Sequence, residues 1–570
     1  MQGKVSLLGK LRFFYPKDWQ NQTQIWLGLS LAIAILYSLP ALQQAFAAEY
    51  IVQDDARQHV FWMQRFIDPG WFPDDLLADY FQSVAPGGYK ALYWLGAQVG
   101  LAPLTFNRLL PVGLNLILTG YCFGVTLQLL PIPLAGFVTA LLLNQNLLLR
   151  DDVVSATPAA FIYPLLLAFL YYLLRRSLGP CLLSILLLGL FYPQGVLLVV
   201  AVLLLRLLHW QNGRLRLQAK NYALCGWGLL VAVLVLLPYE LNPSPYGPVL
   251  TLDQAQTMPA LFKGGWSHFF DPDFGSYWLC GKRSGFLPVE WCDAKLLLPQ
   301  IWLAVCLPVV WLRRRSPLAK QWVLLGQVLA ASVGLFAIAH LLLFRLHLPS
   351  RYSEHSLRIV AAIAAGLAVA EWLRRSFPLS RRSWAVFTAG LTFWAIAPLI
   401  VYFAFLIPVA PVGNYVRGES PQLYQFFQSQ PQAIRIASLT TETNNLPSFA
   451  QRSIYVGGEG YTLPYHLGYY SQVRQRTIDL INAQYTPDSD ELKRFLDQSQ
   501  VDFWLLDPAA FSLDWVQHSR WLKQYGEVTL PQQVLQSGAS PALAQSRDRC
   551  TVFKTAQWLV LAADCVRAAW

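Results

Sequence analysis

The stretch Gln53-Asp54-Asp55-Ala56-Arg57-Gln58-His59 sets two adjacent carboxylates beside a guanidinium and an imidazole. Such groups move protons, hold hard metal ions and bind phosphate. A second acidic pair stands in Arg150-Asp151-Asp152. Both pairs border long apolar runs, where an ionised group costs several kcal/mol unless it is paired or hydrated, so charge there argues for function. The competing reading is capping, with Asp54-Asp55 at the start of a loop helix and Asp151-Asp152 at the start of the next apolar span.

With Asp54 as N-cap of a helix running to Ile67, Asp55, His59, Trp62 and Phe66 recur on one face. Asp68-Pro69-Gly70 would stop that helix, and Asp74-Asp75 would cap another through Phe81. The run Tyr89 to Leu101 is too short to span a bilayer, so it is expected to lie in the interface with Tyr93 and Trp94 as anchors. Of the eight cysteines, Cys122, Cys181, Cys225 and Cys306 fall in apolar runs. Cys280, Cys292, Cys550 and Cys565 fall outside them, and a Cys280–Cys292 disulfide is expected across a turn rich in Gly and Pro.

These residues need elements to hold them. Of the 570 residues, 55% are hydrophobic and 13% charged, which is too apolar for a soluble protein of several domains. The chain reads as a polytopic α-helical membrane protein. A net charge of +11 alone suggests nucleic acid, but Lys and Arg cluster between apolar runs, which is the positive-inside pattern and needs no acidic partner. A helix crosses about 30 Å of hydrocarbon in roughly 20 residues. On that ruler about eleven spans are expected, near 25–47, 104–130, 132–149, 154–174, 178–191, 194–208, 221–238, 297–312, 321–345, 356–373 and 384–408.

Tyr192-Pro193-Gln194-Gly195 decides the parity. Read as a turn between two short spans, it puts Arg175-Arg176, Arg206 to Lys220, Arg313 to Lys320 and Arg374 to Arg382 on one side with the basic N-terminus. The N-terminus is then cytoplasmic. Loops 48–103 and 239–296, both acidic pairs and the turn Pro349 to His355 face the other compartment. Residues 1–410 thus form the transmembrane domain and 411–570 an extracytoplasmic α/β domain, with strand-like stretches at Ala433–Leu439 and Asp502–Leu506 and helix-like ones near 463–482 and 488–498. That domain carries no phosphate loop, metal-spaced cluster or nucleophile elbow, and its expected role is recognition or bracing.

An acidic pair after the first span, another between the third and fourth, and a soluble domain after the last together resemble the GT-C class of integral-membrane glycosyltransferases. That class includes protein O-mannosyltransferases, aminoarabinose transferases and the catalytic subunits of oligosaccharyltransferases. The Trp-Trp-Asp acceptor motif of the last group is absent. The resemblance implies sugar transfer from a polyprenyl-phosphate-linked donor to an acceptor whose identity it leaves open, with Asp54 or Asp55 and Asp151 or Asp152 as base or acceptor-positioning groups. If a divalent ion is used, Asp54 and Asp151 are its candidate ligands, and their hard oxygens suit magnesium or manganese. The leaving phosphate needs positive charge, for which Arg57, Lys90, Arg351, His355 and Arg358 are the candidates. Two rival readings are a transporter or flippase for a lipid-linked sugar and a non-catalytic envelope assembly factor. The first calls for polar residues deep within spans and an internal repeat, and no repeat is visible.

Overall fold

The computed structural model describes residues 19–211, 214–217, 222–293, 319–376, 413–525 and 529–570. The expected spans at 297–312 and 384–408 lie outside them. Among the described residues the other nine apolar runs are all helical. Six helices are long and apolar enough to cross a membrane: Gln20–Ala45, Pro103–Leu129, Pro158–Arg175, Tyr222–Leu241, Trp322–Leu341 and Pro349–Ala370. Pro133–Leu148, Leu178–Phe191 and Pro193–Leu207 are apolar but shorter. Pro193 at the first helical position, where its missing N–H costs nothing, starts the last of these after the Tyr192 turn.

Pro133–Leu148 is short because it is a core helix: every residue from Ala135 to Leu148 is buried. It packs against Trp19–Ala45, Pro103–Leu129 and Glu354–Ser376. Gly366 permits the last of these contacts, since a Cβ there would stand 1.9 Å from Thr139 Oγ1. The polar groups brought inside find partners. Asn144 donates to Thr119 Oγ1 (2.9 Å) and Asn115 to Ser38 Oγ (2.8 Å).

The C-terminal region holds a mixed five-stranded sheet. Its strands are β5 (Arg435–Ala437), β6 (Ser453–Ile454), β7 (Phe503–Leu506), β8 (Thr551–Lys554) and β9 (Leu559–Ala562), in the order β6-β5-β7-β9-β8. β5 runs parallel to both neighbours, and β9 runs antiparallel to β7 and β8. Leu467–Tyr485 and Ser489–Ser499 are the main helices, near where the sequence puts them. The domain is sewn to the first loop: β1 (Ile51–Gln53) pairs antiparallel with β4 (Tyr415–Arg417), register Val52 to Val416, while β2 (Leu208–Gln211) and β3 (Arg214–Leu217) form a separate antiparallel pair.

Four local expectations need correction. Gln53, not Asp54, caps the loop helix: its side chain accepts from Ala56 N–H (3.0 Å), and Asp54 is the first helical residue. That helix ends at His59 and continues as a 3-10 turn, Phe61–Phe66, so no single α-face carries Asp55, His59, Trp62 and Phe66. Tyr93 is no interfacial anchor. It is buried, accepts from Asn107 Nδ2 (2.9 Å) and donates to Ala156 O (3.2 Å), leaving Trp94 and Leu95 to face outward. Asp151-Asp152 does not cap the next helix: that helix starts at Ile162 after a 3-10 turn, Pro158–Phe161, and neither carboxylate reaches it as a cap. Asp75, by contrast, caps Leu76–Val84 by accepting from Leu77 N–H (2.8 Å) and Ala78 N–H (3.0 Å).

Both cysteine pairs outside the apolar runs are bonded, Cys280 to Cys292 (S–S 1.96 Å) and Cys550 to Cys565 (2.07 Å). Each closes a short loop, contributing about 3 kcal/mol in the chain-entropy picture. Peptide mapping without reductant is expected to recover both linked pairs. Free thiols at 280 and 292 in protein never exposed to reductant would contradict this.

Candidate active site

β1 and the cap at Gln53 deliver Asp54 and Asp55, and the segment after Leu148 brings Asp151 near them. Asp55 is exposed at its own surface but has dense protein around it. Burial, then Asp151, Asp54 and Asp152, push it up to about 6 against the opposing charge of Lys282. Among the described residues no hydrogen bond or ion pair engages this carboxylate. Asp54 is different: its Oδ1 accepts from Arg57 Nη2 (2.7 Å). Its pKa is also raised, by burial first and by Glu459 and Asp151, against the pull of Arg57.

The second pair divides in the same way. Asp151 is half-buried and accepts from Asn414 Nδ2 (2.8 Å). Asp152 is buried, accepts from Tyr163 Oη (3.0 Å), and lies 3.5 Å from Arg150 Nη2 and 3.7 Å from both His355 Nδ1 and Arg358 Nη1. Burial alone would raise its pKa, but Arg150, His355, Arg358 and Arg351 together hold it well below the usual carboxylate range. Asp152 therefore stays ionised and is no proton acceptor. Arg150 also reaches Glu290 (3.1 Å) and Glu354 (3.2 Å), Arg358 reaches Glu290 (2.8 Å), and Arg351 pairs with Glu354. Arg150, Arg351 and Arg358 thus balance Asp152, Glu290 and Glu354 in one closed network.

The C-terminal domain grips both pairs. Asp54 N–H donates to Asn414 O (3.0 Å) while the Asn414 side chain holds Asp151, so one residue sets the two acidic segments against each other. Asn414 has φ +46°, a conformation asparagine tolerates better than most residues. Arg57 is buried and donates to Asn445 Oδ1 (2.8 Å) and Glu459 Oε2 (2.9 Å), and its carbonyl accepts from Tyr461 Oη (3.1 Å).

The candidate phosphate cations are thereby largely spoken for. Arg57, Arg351 and Arg358 are matched to carboxylates, His355 lies within the network, and Lys90 Nζ donates to Gln82 O (3.3 Å). The cation that acts on Asp55 is Lys282, an exposed residue of the disulfide-closed loop, whose backbone is tied to the Pro349–Tyr352 turn by Ser350 Oγ donating to Lys282 O (3.1 Å). His59 is pushed down to about 4 by burial and stands edge-on to Phe81, so it is neutral near pH 7.

No family model matches the chain, and no curated protein does. Solved structures do. The oligosaccharyltransferase AglB of Archaeoglobus fulgidus, in complex with an inhibitory peptide and a dolichol-phosphate, superposes with TM-score 0.55 at 11% identity over 89% of this chain and 72% of its own. The same enzyme tethered to an acceptor peptide gives 0.54, with the same identity and coverage. The chain has the GT-C fold. ArnT of Cupriavidus metallidurans aligns over 95% of this chain and 98% of its own at 14% identity, with TM-score 0.47.

Within this GT-C fold, sequence reasoning missed Lys282, Glu290, Asn414, Asn445 and Glu459. The Cys280–Cys292 spacing flagged the loop that carries the first two, but nothing local says which way a single Lys or Glu points. As metal ligands Asp54 and Asp151 fit poorly. Among the described residues no group of three His, Cys, Asp or Glu side chains is arranged to hold an ion, and Arg57 and Asn414 each already take one oxygen.

Proposed function

We propose that this chain transfers a sugar from a polyprenyl-phosphate-linked donor to an acceptor in the recess lined by Asp54, Asp55 and Asp151, on the extracytoplasmic face, with Asp55 as base. The observation that carries the reading is Asp55 itself. It is an unpaired carboxylate of raised proton affinity, set between Asp151 and Lys282 in a GT-C fold. A base serves best with a pKa near the working pH, and a carboxylate at about 6 suits that task where an ordinary one near 3.8 does not. Asp55 takes the acceptor's proton as the acceptor's atom bonds to the anomeric carbon and the bond from that carbon to the phosphate oxygen breaks. Asp151 sustains the affinity of Asp55 for the proton, and Lys282 offsets charge on the departing phosphate. The dolichol-phosphate in the AglB complex supports a lipid-phosphate donor. A photoreactive polyprenyl phosphate is expected to label the Cys280–Cys292 loop and to be displaced by excess unlabelled lipid. Labelling spread over the spans and insensitive to competitor would overturn the donor assignment.

Localisation follows the charge pattern and the disulfides. Two bonded cysteine pairs persist in an oxidising compartment, which supports an exported face for loop 239–296 and for residues 411–570. Reporters fused after Arg315 and Arg382 are expected to stay cytoplasmic and one after Pro421 to be exported. An exported reporter at Arg315 would overturn the reading of 178–208 as two spans.

A further inference from the structure

The long loop after Tyr222–Leu241 presents two flanks. Its inner side is a small core in which Leu250, Leu261, Phe269, Phe344 and Tyr465 are buried together. Its outer side, the π-turn Gly275–Leu279 and the residue before it, leaves Phe274 69% exposed, Leu279 43% and Trp278 38%. Large apolar side chains grouped in this way on an exported loop call for a cover.

The contacts of the turn say what the cover is. Trp278 lies with its ring centroid 4.4 Å from that of His340, Phe286 packs on Phe336 (5.2 Å), and His340 Nε2 meets Ser284 O (2.9 Å). His340 is in the last turn of Ala319–Leu341, whose apolar window Trp322–Leu341 has the 20 residues needed to cross about 30 Å of hydrocarbon. The outward face of that helix runs through Val333 and Ile338 to Leu341, itself 82% exposed, and Leu342. The patch on the loop therefore continues the lipid-facing surface of a spanning helix at the level of its end. Trp belongs at that depth, with an apolar ring and a polar N–H. Asp273, whose side chain caps Ser276 N–H (2.7 Å) just ahead of the turn, sets a limit on depth, because its charge belongs among headgroups and not in hydrocarbon.

We propose that Phe274–Leu279 is seated in the interfacial layer of the bilayer. The loop closed by Cys280 and Cys292 then stands between lipid on one flank and, through Lys282, Asp55 on the other. Under the reading of the recess given above, this puts the mouth of the site at lipid-headgroup level, where the phosphate of a lipid-linked donor resides. The lipid contact itself does not depend on that reading.

Nitroxide labels on Phe274→Cys and Leu279→Cys, in full-length protein reconstituted into phosphatidylcholine vesicles, test it. Collisions with oxygen report lipid, and collisions with a water-soluble nickel complex report solvent. Both labels are expected to resemble a lipid reference at Leu341→Cys, with an oxygen-to-nickel ratio several-fold above that of Asp490→Cys at an exposed position of the C-terminal domain. Unsubstituted protein carried through the same labelling supplies the background. Ratios at 274 and 279 matching the Asp490 reference would overturn the proposal whatever the transfer assay shows, and a lipid-like ratio in a protein without transfer activity would sustain it while sinking the enzyme reading.

Discussion

Asp55→Asn is expected to lower sugar transfer by about 100-fold or more at neutral pH, the usual loss when a general base is removed. The amide keeps the size of the side chain but cannot take a proton. Asp54→Asn is expected to cost activity less and stability more. Its carboxylate is committed to the buried Arg57, and removing its charge leaves that guanidinium one carboxylate, Glu459, besides the neutral Asn445. With a pKa of about 6, Asp55 also sets an acid limb, so the wild-type rate should fall roughly tenfold per pH unit below that point. The limb does not report unfolding. A carboxyl whose folded pKa lies above its unfolded value near 3.8 favours the folded state at low pH, and that contribution is lost as pH rises toward 6. Equal turnover in Asp55→Asn and wild type, at matched protein levels, would remove the base from the mechanism.

Arg150→Met should be the most destabilising single change in the described structure. Arg150 is matched to the buried Asp152 and Glu354 and to the half-buried Glu290, and without it three carboxylates face two guanidinium groups, those of Arg351 and Arg358. Breaking a buried ion pair by deleting one partner costs about 3–5 kcal/mol, largely because of the charge left unpaired. The comparison is Arg567→Met on the exposed rim of the C-terminal domain, where pairs with Asp497 and Asp564 are worth less than about 1 kcal/mol. Thermal unfolding in detergent should separate the two plainly. A double variant, Arg150→Met with Glu354→Gln, should recover part of the loss, because it removes one of the stranded charges. Arg150→Met unfolding with wild type would show that the network is hydrated and not closed.

The apolar helices were legible from length and composition, because a bilayer imposes a ruler that few other environments do. Runs of apolar residues at Trp19–Ala45, Pro103–Leu129 and Tyr222–Leu241 read directly as helices. The two acidic pairs were legible because charge beside hydrocarbon is costly and so rarely accidental. What stayed hidden was the division of labour within each pair. Asp151 and Asp152 are neighbours in sequence, but one lies near Asp55 and the other in an arginine network completed by residues some 140 to 200 positions away, Glu290 and Glu354. The same distance effect hid the pairing of Arg57, which looks like a free cation in the first loop until Asn445 and Glu459 arrive from the C-terminal domain. Asn414 and Lys282 carry no local pattern at all, and only the β1–β4 pairing and the disulfide loop bring them to the carboxylates.

The central claim is tested most directly by following the sugar. Purified wild type and Asp55→Asn, reconstituted at equal amounts, would be given a panel of radiolabelled polyprenyl-phosphate sugars together with an envelope extract as the source of acceptor, and label would be counted in the lipid and non-lipid fractions. Wild type is predicted to move label out of the lipid fraction from at least one donor, with Asp55→Asn slower by about 100-fold. Label that stays on the lipid with every donor, or leaves it equally fast in both proteins, would contradict the account.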